Sequence, residues 1–241
     1  MYDRKIGDDV LTFGVSGKLH ANSLIMYDHQ TDSLWSHLVG QAVVGPKKGA
    51  SIKPLESVFT TWDRWRERHP RTKVLSTGRP LFVALRDEYE SYYQSAQTGI
   101  VPTRRNDQRI YPKEFVLGVA FDGRAYAYPF SALSQAGVVN DELEGIPVVV
   151  VFDKASATGV MFRRDLDGRM LSFTKPRVGG DAVLVVDNET GSVWDGLTGK
   201  ALKGELKGQQ LRGIPVTPSF WFGWVDHYPD TKLYQPKKSS S

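Results

Sequence analysis

Short apolar runs broken by turn residues dominate this chain, and they predict strands rather than long helices. Leu24-Ile25-Met26-Tyr27 and Val183-Leu184-Val185-Val186 are two such runs. Ile146-Pro147-Val148-Val149-Val150-Val151-Phe152 is a longer one, and Gly159-Val160-Met161-Phe162 follows it. After each of the first two runs comes Asp-x-x-Thr-x-Ser and then Trp: Asp28, Thr31, Ser33, Trp35, and later Asp187, Thr190, Ser192, Trp194. This is turn chemistry, because an Asp side chain accepts backbone N–H groups just ahead of it and hydroxyls do so more weakly. Two stretches read as helices. Thr60 to His69 opens with hydroxyls and an acid three residues on, an N-terminal cap signature. Trp62 and Trp65 share one of its faces. The second stretch, Phe220 to Tyr228, is announced by Ser219 and carries Trp221 and Trp224. Pro70 and Pro229 stop the two helices. Lys73-Val74-Leu75 and Lys232-Leu233-Tyr234 then read as closing strands, and the Trp pairs as core anchors.

These parallels share one offset, 187 − 28 = 159, which holds without a gap from Asp28 to Leu75. Gly40, Ala42, Gly45, Gly49, Thr72 and Lys73 recur as Gly199, Ala201, Gly204, Gly208, Thr231 and Lys232. Long-period self-similarity constrains the fold more than any single motif. It predicts a mostly β (α+β) fold with an internal duplication of a small β unit, each copy closed by one short helix. One compact domain is expected. Within it, residues 1–76 form unit one, 77–145 a connecting section, 146–234 unit two and 235–241 a disordered tail. Upstream, Leu171 and Phe173 match Leu11 and Phe13 at an offset of 160, which pairs Met161 with Met1. Unit one then lacks any equivalent of Ile146 to Phe152. The expectation is that unit one is N-terminally incomplete, with the true start upstream of Met1. An exposed sheet edge near Met1 and Tyr2, able to self-associate, should result.

Composition narrows the function classes. The chain has 241 residues, 40% hydrophobic and 24% charged, the balance of a globular protein. Its net charge is +4 and its pI about 9.1. No basic run exceeds Pro46-Lys47-Lys48 or Arg104-Arg105, so nucleic acid is not an expected partner. With no cysteine, disulfides, thiolate chemistry and Cys-based zinc sites are excluded for the chain as written. There is neither a membrane-length apolar stretch nor a signal-peptide core. The compartment is therefore unassigned: cytoplasmic by default, exported if the N-terminus is incomplete.

The candidate motifs are few. Gly14-Val15-Ser16-Gly17-Lys18 lacks both the glycine spacing and the final hydroxyl of a phosphate loop, so it reads as a glycine-bearing turn. The turn before Trp194 is of the kind seen in propeller blades, but two copies do not make a propeller. His20, His29 and His37 are weak metal candidates, since their spacing fits no compact ligand signature and polar turn residues explain them. The polar cationic stretch from Arg104 to Lys113 is a reasonable place for a site. Ligand-binding candidates are Arg109, Tyr111 and Lys113, together with Asp28 and Trp35, in a pocket between the two units. Arg109 can hold a carboxylate or phosphate bidentately; alternatively it pairs with Asp28 or Asp107. No Ser-His-Asp order, HExxH pair or acid pair stands out, so no catalytic residue and no cofactor is assigned.

Several stretches resemble a prokaryotic family, domain-of-unknown-function family 3179. They are Phe13-Gly14-Val15-Ser16-Gly17-Lys18-Leu19, Met26-Tyr27-Asp28, Thr31-Asp32-Ser33-Leu34-Trp35, Gly40-Gln41-Ala42-Val43-Val44-Gly45, Arg109 through Gly118, and Phe220-Trp221-Phe222-Gly223-Trp224. The resemblance implies a Cys-Pro-Leu-Cys-type motif, in some members with selenocysteine, shortly before the segment matching Tyr2-Asp3-Arg4. That motif would fall in the strand pair missing from unit one. Two functions of different class follow. As it stands, the chain reads as a non-catalytic binding or scaffold module. The alternative is a truncated form of a thiol- or selenol-dependent redox or metal-handling protein.

Overall fold

A computed structural model describes residues 1–75, 78, 89–103, 105–121, 123–176 and 183–236. The fold is mostly β. A hairpin of β1 (Lys5–Ile6) and β2 (Asp9–Val10) leads into a four-stranded meander. Its strands are β3 (Phe13–His20), β4 (Ser23–Asp28), β5 (Leu34–Ser36) and β6 (Gln41–Val44), hydrogen-bonded in that order. Then follow α1 (Trp62–Arg68) and α2 (Glu90–Gln94).

The stretch between α2 and residue 145 carries regular structure of its own. It holds β7 (Phe115–Phe121), β8 (Arg124–Pro129), α3 (Phe130–Ala136) and β9 (Val138–Leu143). Beyond it come β10 (Ile146–Asp153) and β11 (Thr158–Arg163), the hairpin β12 (Asp165–Leu166) and β13 (Arg169–Met170), and a second meander. That meander is β14 (Phe173–Thr174), β15 (Leu184–Asp187), β16 (Val193–Asp195) and β17 (Lys200–Lys203). The chain closes with β18 (Gly213–Ile214), β19 (Thr217–Phe220), α4 (Trp221–His227) and β20 (Lys232–Leu233). Two further sheets run β18-β11-β10-β9 and β19-β7-β8-β20; among the described residues every strand pairing is antiparallel except β20 on β8.

The unbroken apolar run of β10 has a physical reason. Successive side chains point to opposite faces of a strand. Val148, Val150 and Phe152 pack with Leu117, Val119, Tyr128 and Leu133. Val149 and Val151 pack with Phe162, Leu171, Phe173 and Trp194 on the other side. A strand buried on both faces must be hydrophobic throughout.

The two meanders share their registers and their turns. Met26 lies opposite Trp35, and Val185 opposite Trp194. A bulge falls between Leu34 and Trp35, and again between Val193 and Trp194. Trp35 Nε1 donates to Asp28 at 2.8 Å, and Trp194 Nε1 to Asp187 at 2.8 Å. The Ser33 hydroxyl accepts the N–H of Lys47 at 3.0 Å, and Ser192 that of Leu206 at 3.0 Å. Gly45 and Gly204 have positive φ, 100° and 95°, and press on those serines, so a side chain is excluded twice over. Before each meander the matching N–H–O=C contacts are Leu11 to Arg4 at 2.9 Å and Leu171 to Arg164 at 2.8 Å.

Several expectations need correcting. Lys73-Val74-Leu75 is not a strand, although its match becomes β20. Thr61, not a hydrogen-bonding hydroxyl, caps α1: its side chain makes no cap bond, and the Thr60 hydroxyl instead accepts from Thr158 at 2.8 Å. Gly14 to Lys18 lies inside β3 rather than in a turn, with Gly14 beneath the Tyr27 ring. At the start of the chain, Tyr2 bridges Pro54, and its phenol donates to His37 O at 2.8 Å. Burial pushes that phenol up to about 12. Met1 is exposed. Ser76, Arg104 and residues 237–241 of the expected tail lie outside the described residues.

Candidate functional site

The two Trp-bearing helices have the same local build. Thr61 and Phe220 precede them with φ/ψ of −72°/154° and −69°/146°. Trp65 Nε1 donates to the Thr72 hydroxyl at 3.1 Å; Trp224 Nε1 donates to Thr231 at 2.9 Å. The His69 ring lies 4.0 Å from Trp65, and the Tyr228 ring 4.5 Å from Trp224.

Their surroundings differ. Trp221 and Trp224 are 0% and 1% exposed, whereas Trp62 and Trp65 are 46% and 36% exposed. The β7–β8 hairpin covers α4. It presents Val116, Ala125 and Ala127 to Trp221, Trp224 and Val225. Gly118 lets the sheet approach, because a Cβ there would overlap the Trp224 ring. The hairpin is also held at both edges, by β19 on β7 and β20 on β8. Hence Trp62 is not the core anchor that its spacing predicts; Trp221 and Trp224 are.

A cationic face seats α1. Arg64 Nε lies 3.2 Å from Asp153, and Arg68 Nε 3.2 Å from Asp195. The tryptophan face therefore points outward, flanked by exposed Val58, Phe59, Val74 and Leu75. Beside it runs a groove of about 270 Å³, walled by Trp65 and His69 on one side and Phe162, Leu197 and Ile214 on the other. Exposed apolar side chains beside such a groove are features that an interaction site shows.

The residues chosen from sequence fall in two separate places. Asp28 and Trp35 are fully buried inside the first meander. Burial pushes the Asp28 carboxyl up, but hydrogen bonds from Trp35 and Thr31 outweigh it and leave the group below the ordinary carboxylate value. Arg109 pairs with Asp107 at 2.8 Å, not with Asp28, and lies 4.9 Å above the Trp221 ring while donating to Thr231 O at 2.9 Å. It clamps α4. Tyr111 is exposed. Lys113 is buried; its ammonium donates to the carbonyls of Tyr92 and Ser95, the latter at 2.7 Å. Among the described residues no hydrogen bond, ion pair or ring contact joins Asp28 or Trp35 to Arg109, Tyr111 or Lys113. His20, His29 and His37 meet the rings of His227, Tyr27 and Tyr2 respectively. Among the described residues no group of three or more His, Asp or Glu side chains is placed to hold a metal.

Sequence reading missed a second concavity, also about 270 Å³, where β8, β9 and β20 meet. Tyr128 donates to Asp141 at 2.8 Å and stacks on Tyr234 at 5.2 Å. Tyr126 donates to Glu144, which also takes Lys232 at 3.2 Å and Arg124 at 2.6 Å. Burial pushes the Tyr128 phenol well up, and the hydrogen bond from Tyr126 holds Glu144 below its usual value. The donors and acceptors here satisfy one another, so this is a structural network, drawn from segments too far apart in sequence to be seen beforehand.

The family model described as a protein of unknown function (DUF3179) matches residues 1–231. The chain belongs to this family. No curated protein and no solved structure matches it. In this DUF3179 chain, no helix among the described residues is long and apolar enough to cross a membrane.

Proposed function

We propose that α1 and α4 close two copies of one unit, and that the chain is a non-catalytic binding module whose docking site is the outer face of α1. One observation carries this reading: a Trp pair buried in one setting stands exposed in the other, on a helix of the same local geometry. Exposed tryptophans beside an apolar-walled groove are typical anchors of protein interfaces. A photo-crosslinking residue in place of Trp62, expressed in the native host, tests it. A discrete adduct is expected, absent when the residue replaces exposed Arg169 instead. Once identified and purified, that partner should bind the unlabelled chain and lose at least tenfold affinity to Trp65→Asp. Adducts no more specific than those from Arg169, or binding indifferent to Trp65→Asp, would reject the reading.

A further inference from the structure

We infer that α1 is a releasable latch, a helix that leaves and returns to a preformed pair of carboxylates, Asp153 and Asp195, while the rest of the fold stays closed. This inference goes beyond the docking role of the tryptophan face and does not need it. Its first support is a third copy of the Asp turn. Asp153, Ser156 and Thr158 repeat the spacing of Asp28, Thr31 and Ser33 and of Asp187, Thr190 and Ser192. The two hydroxyls meet at 2.7 Å in all three turns. The residue between them has positive φ each time, at Asp32, Ala157 and Gly191. What differs is the N–H donor to the Asp Oδ2. In the meanders it is Trp35 or Trp194, seven residues on. At that spacing the third turn has Val160, which carries no side-chain donor. Arg64 of α1 supplies it instead, Nε to Oδ2 at 3.2 Å. The third turn is thus a socket filled by another element.

The second support is the way the seat is made. In both carboxylates Oδ1 is held by N–H groups of its own turn: Ala155 at 3.1 Å for Asp153, and Leu197 and Thr198 at 2.9 and 3.1 Å for Asp195. In both, Oδ2 takes an arginine of α1, Arg64 or Arg68, each at 3.2 Å. The carboxylates are therefore oriented by their own turns, not by the helix. Among the described residues, the long-range hydrogen bonds and ion pairs of residues 60–69 are these two arginine contacts and the Thr158 hydroxyl to Thr60. Helix α1 buries none of its seven residues, whereas α4 buries five of its seven. Leaving the seat thus breaks polar contacts and opens no core. A free helix of two turns is unstable in water, so the amides of α1 report its docking directly.

Amide hydrogen exchange of the full chain, read at residues 62–68 and at 221–227, tests the latch. Arg64→Gln and Asp153→Asn should each speed exchange in α1 at least fivefold and leave α4 within twofold of the unaltered chain. The two together should do no more than either alone, because they break one contact. In the unaltered chain, methylguanidinium chloride at about 0.2 M should speed α1 exchange at least threefold beyond sodium chloride at the same concentration, since a free guanidinium ion that takes the vacated seat draws the helix off by mass action. Unchanged α1 exchange in both variants overturns the latch. So does acceleration of α4 in step with α1, which would mean that the helix leaves only when the whole fold opens. Equal effects of the two salts overturn the guanidinium socket. The second arm needs no substitution, so a variant that fails to fold leaves the test intact. The crosslinks from position 62 are scored separately, so either reading can fail while the other stands.

Discussion

Helices α1 and α4 are built alike and buried unlike, while the turns at Asp28 and Asp187 repeat both their main hydrogen bonds and their burial. The contrast separates two kinds of interaction. In the turns, donor and acceptor lie within about seven residues of one another, so the same short sequence makes the same bonds wherever it occurs. The helix caps and the Trp–Thr bonds are local too, and they also recur. Burial of the tryptophans is not local. It requires β7 and β8, more than ninety residues before α4 in the chain, and no described segment does this for α1. Local sequence fixes the shape of such a helix; a distant strand decides whether it is core or surface.

The largest test of this contrast lies at Trp224. Trp224→Ala should lower unfolding free energy by about 3–5 kcal/mol, whereas Trp65→Ala should cost under about 1 kcal/mol. Equal losses in urea titrations would erase the distinction. Next, Asp28→Ala and Asp187→Ala each leave a buried indole N–H without its acceptor, so each should cost about 2–3 kcal/mol, and by similar amounts. A wide disparity would show that the turns are not energetically equivalent. A smaller effect, about 1.5 kcal/mol, is expected for Arg64→Ala, which removes the charged partner of Asp153 at the foot of α1. Faster proteolysis within α1 should accompany it. The smallest concerns acid. The folded-state pKa of Asp28 is lowered, so its contribution is complete above the ordinary carboxylate value of 3.8 and is lost as pH falls through the lower folded value. Denaturation midpoints at about pH 6 and about pH 3 should therefore shift less in Asp28→Asn than in the unaltered chain.

The strands around Leu24–Tyr27, Ile146–Phe152, Gly159–Phe162 and Val183–Val186, the Asp–Trp turns and both Trp-bearing helices were legible because each is written in a short stretch, whereas β7, β8 and β9 were not read. Ile146 to Phe152 announced a strand by its apolar run, but not that both faces would be buried. Exposure of Trp62 was not legible: nothing between Thr60 and His69 reports that β7–β8 sits elsewhere. Arg109 was marked as a ligand holder because its charge was visible and its partners, Asp107, Trp221 and Thr231, were mostly distant. The tyrosine network on β8, β9 and β20 escaped for the same reason. Lys113 looked like a surface cation until α2 and the turn after it wrapped carbonyls around it.

The order of synthesis gives the sheet β19-β7-β8-β20 a further meaning. Its two inner strands leave the ribosome well before the outer ones, which follow much later in the chain. Until then the face around Gly118 has no helix to rest against. Such long-range closure is slow and leaves the nascent intermediate open to wrong pairings. Closure of this sheet should thus wait for β19 and β20, and a ribosome stalled before Thr217 would hold a chain that displays a ready-made, unclaimed hairpin.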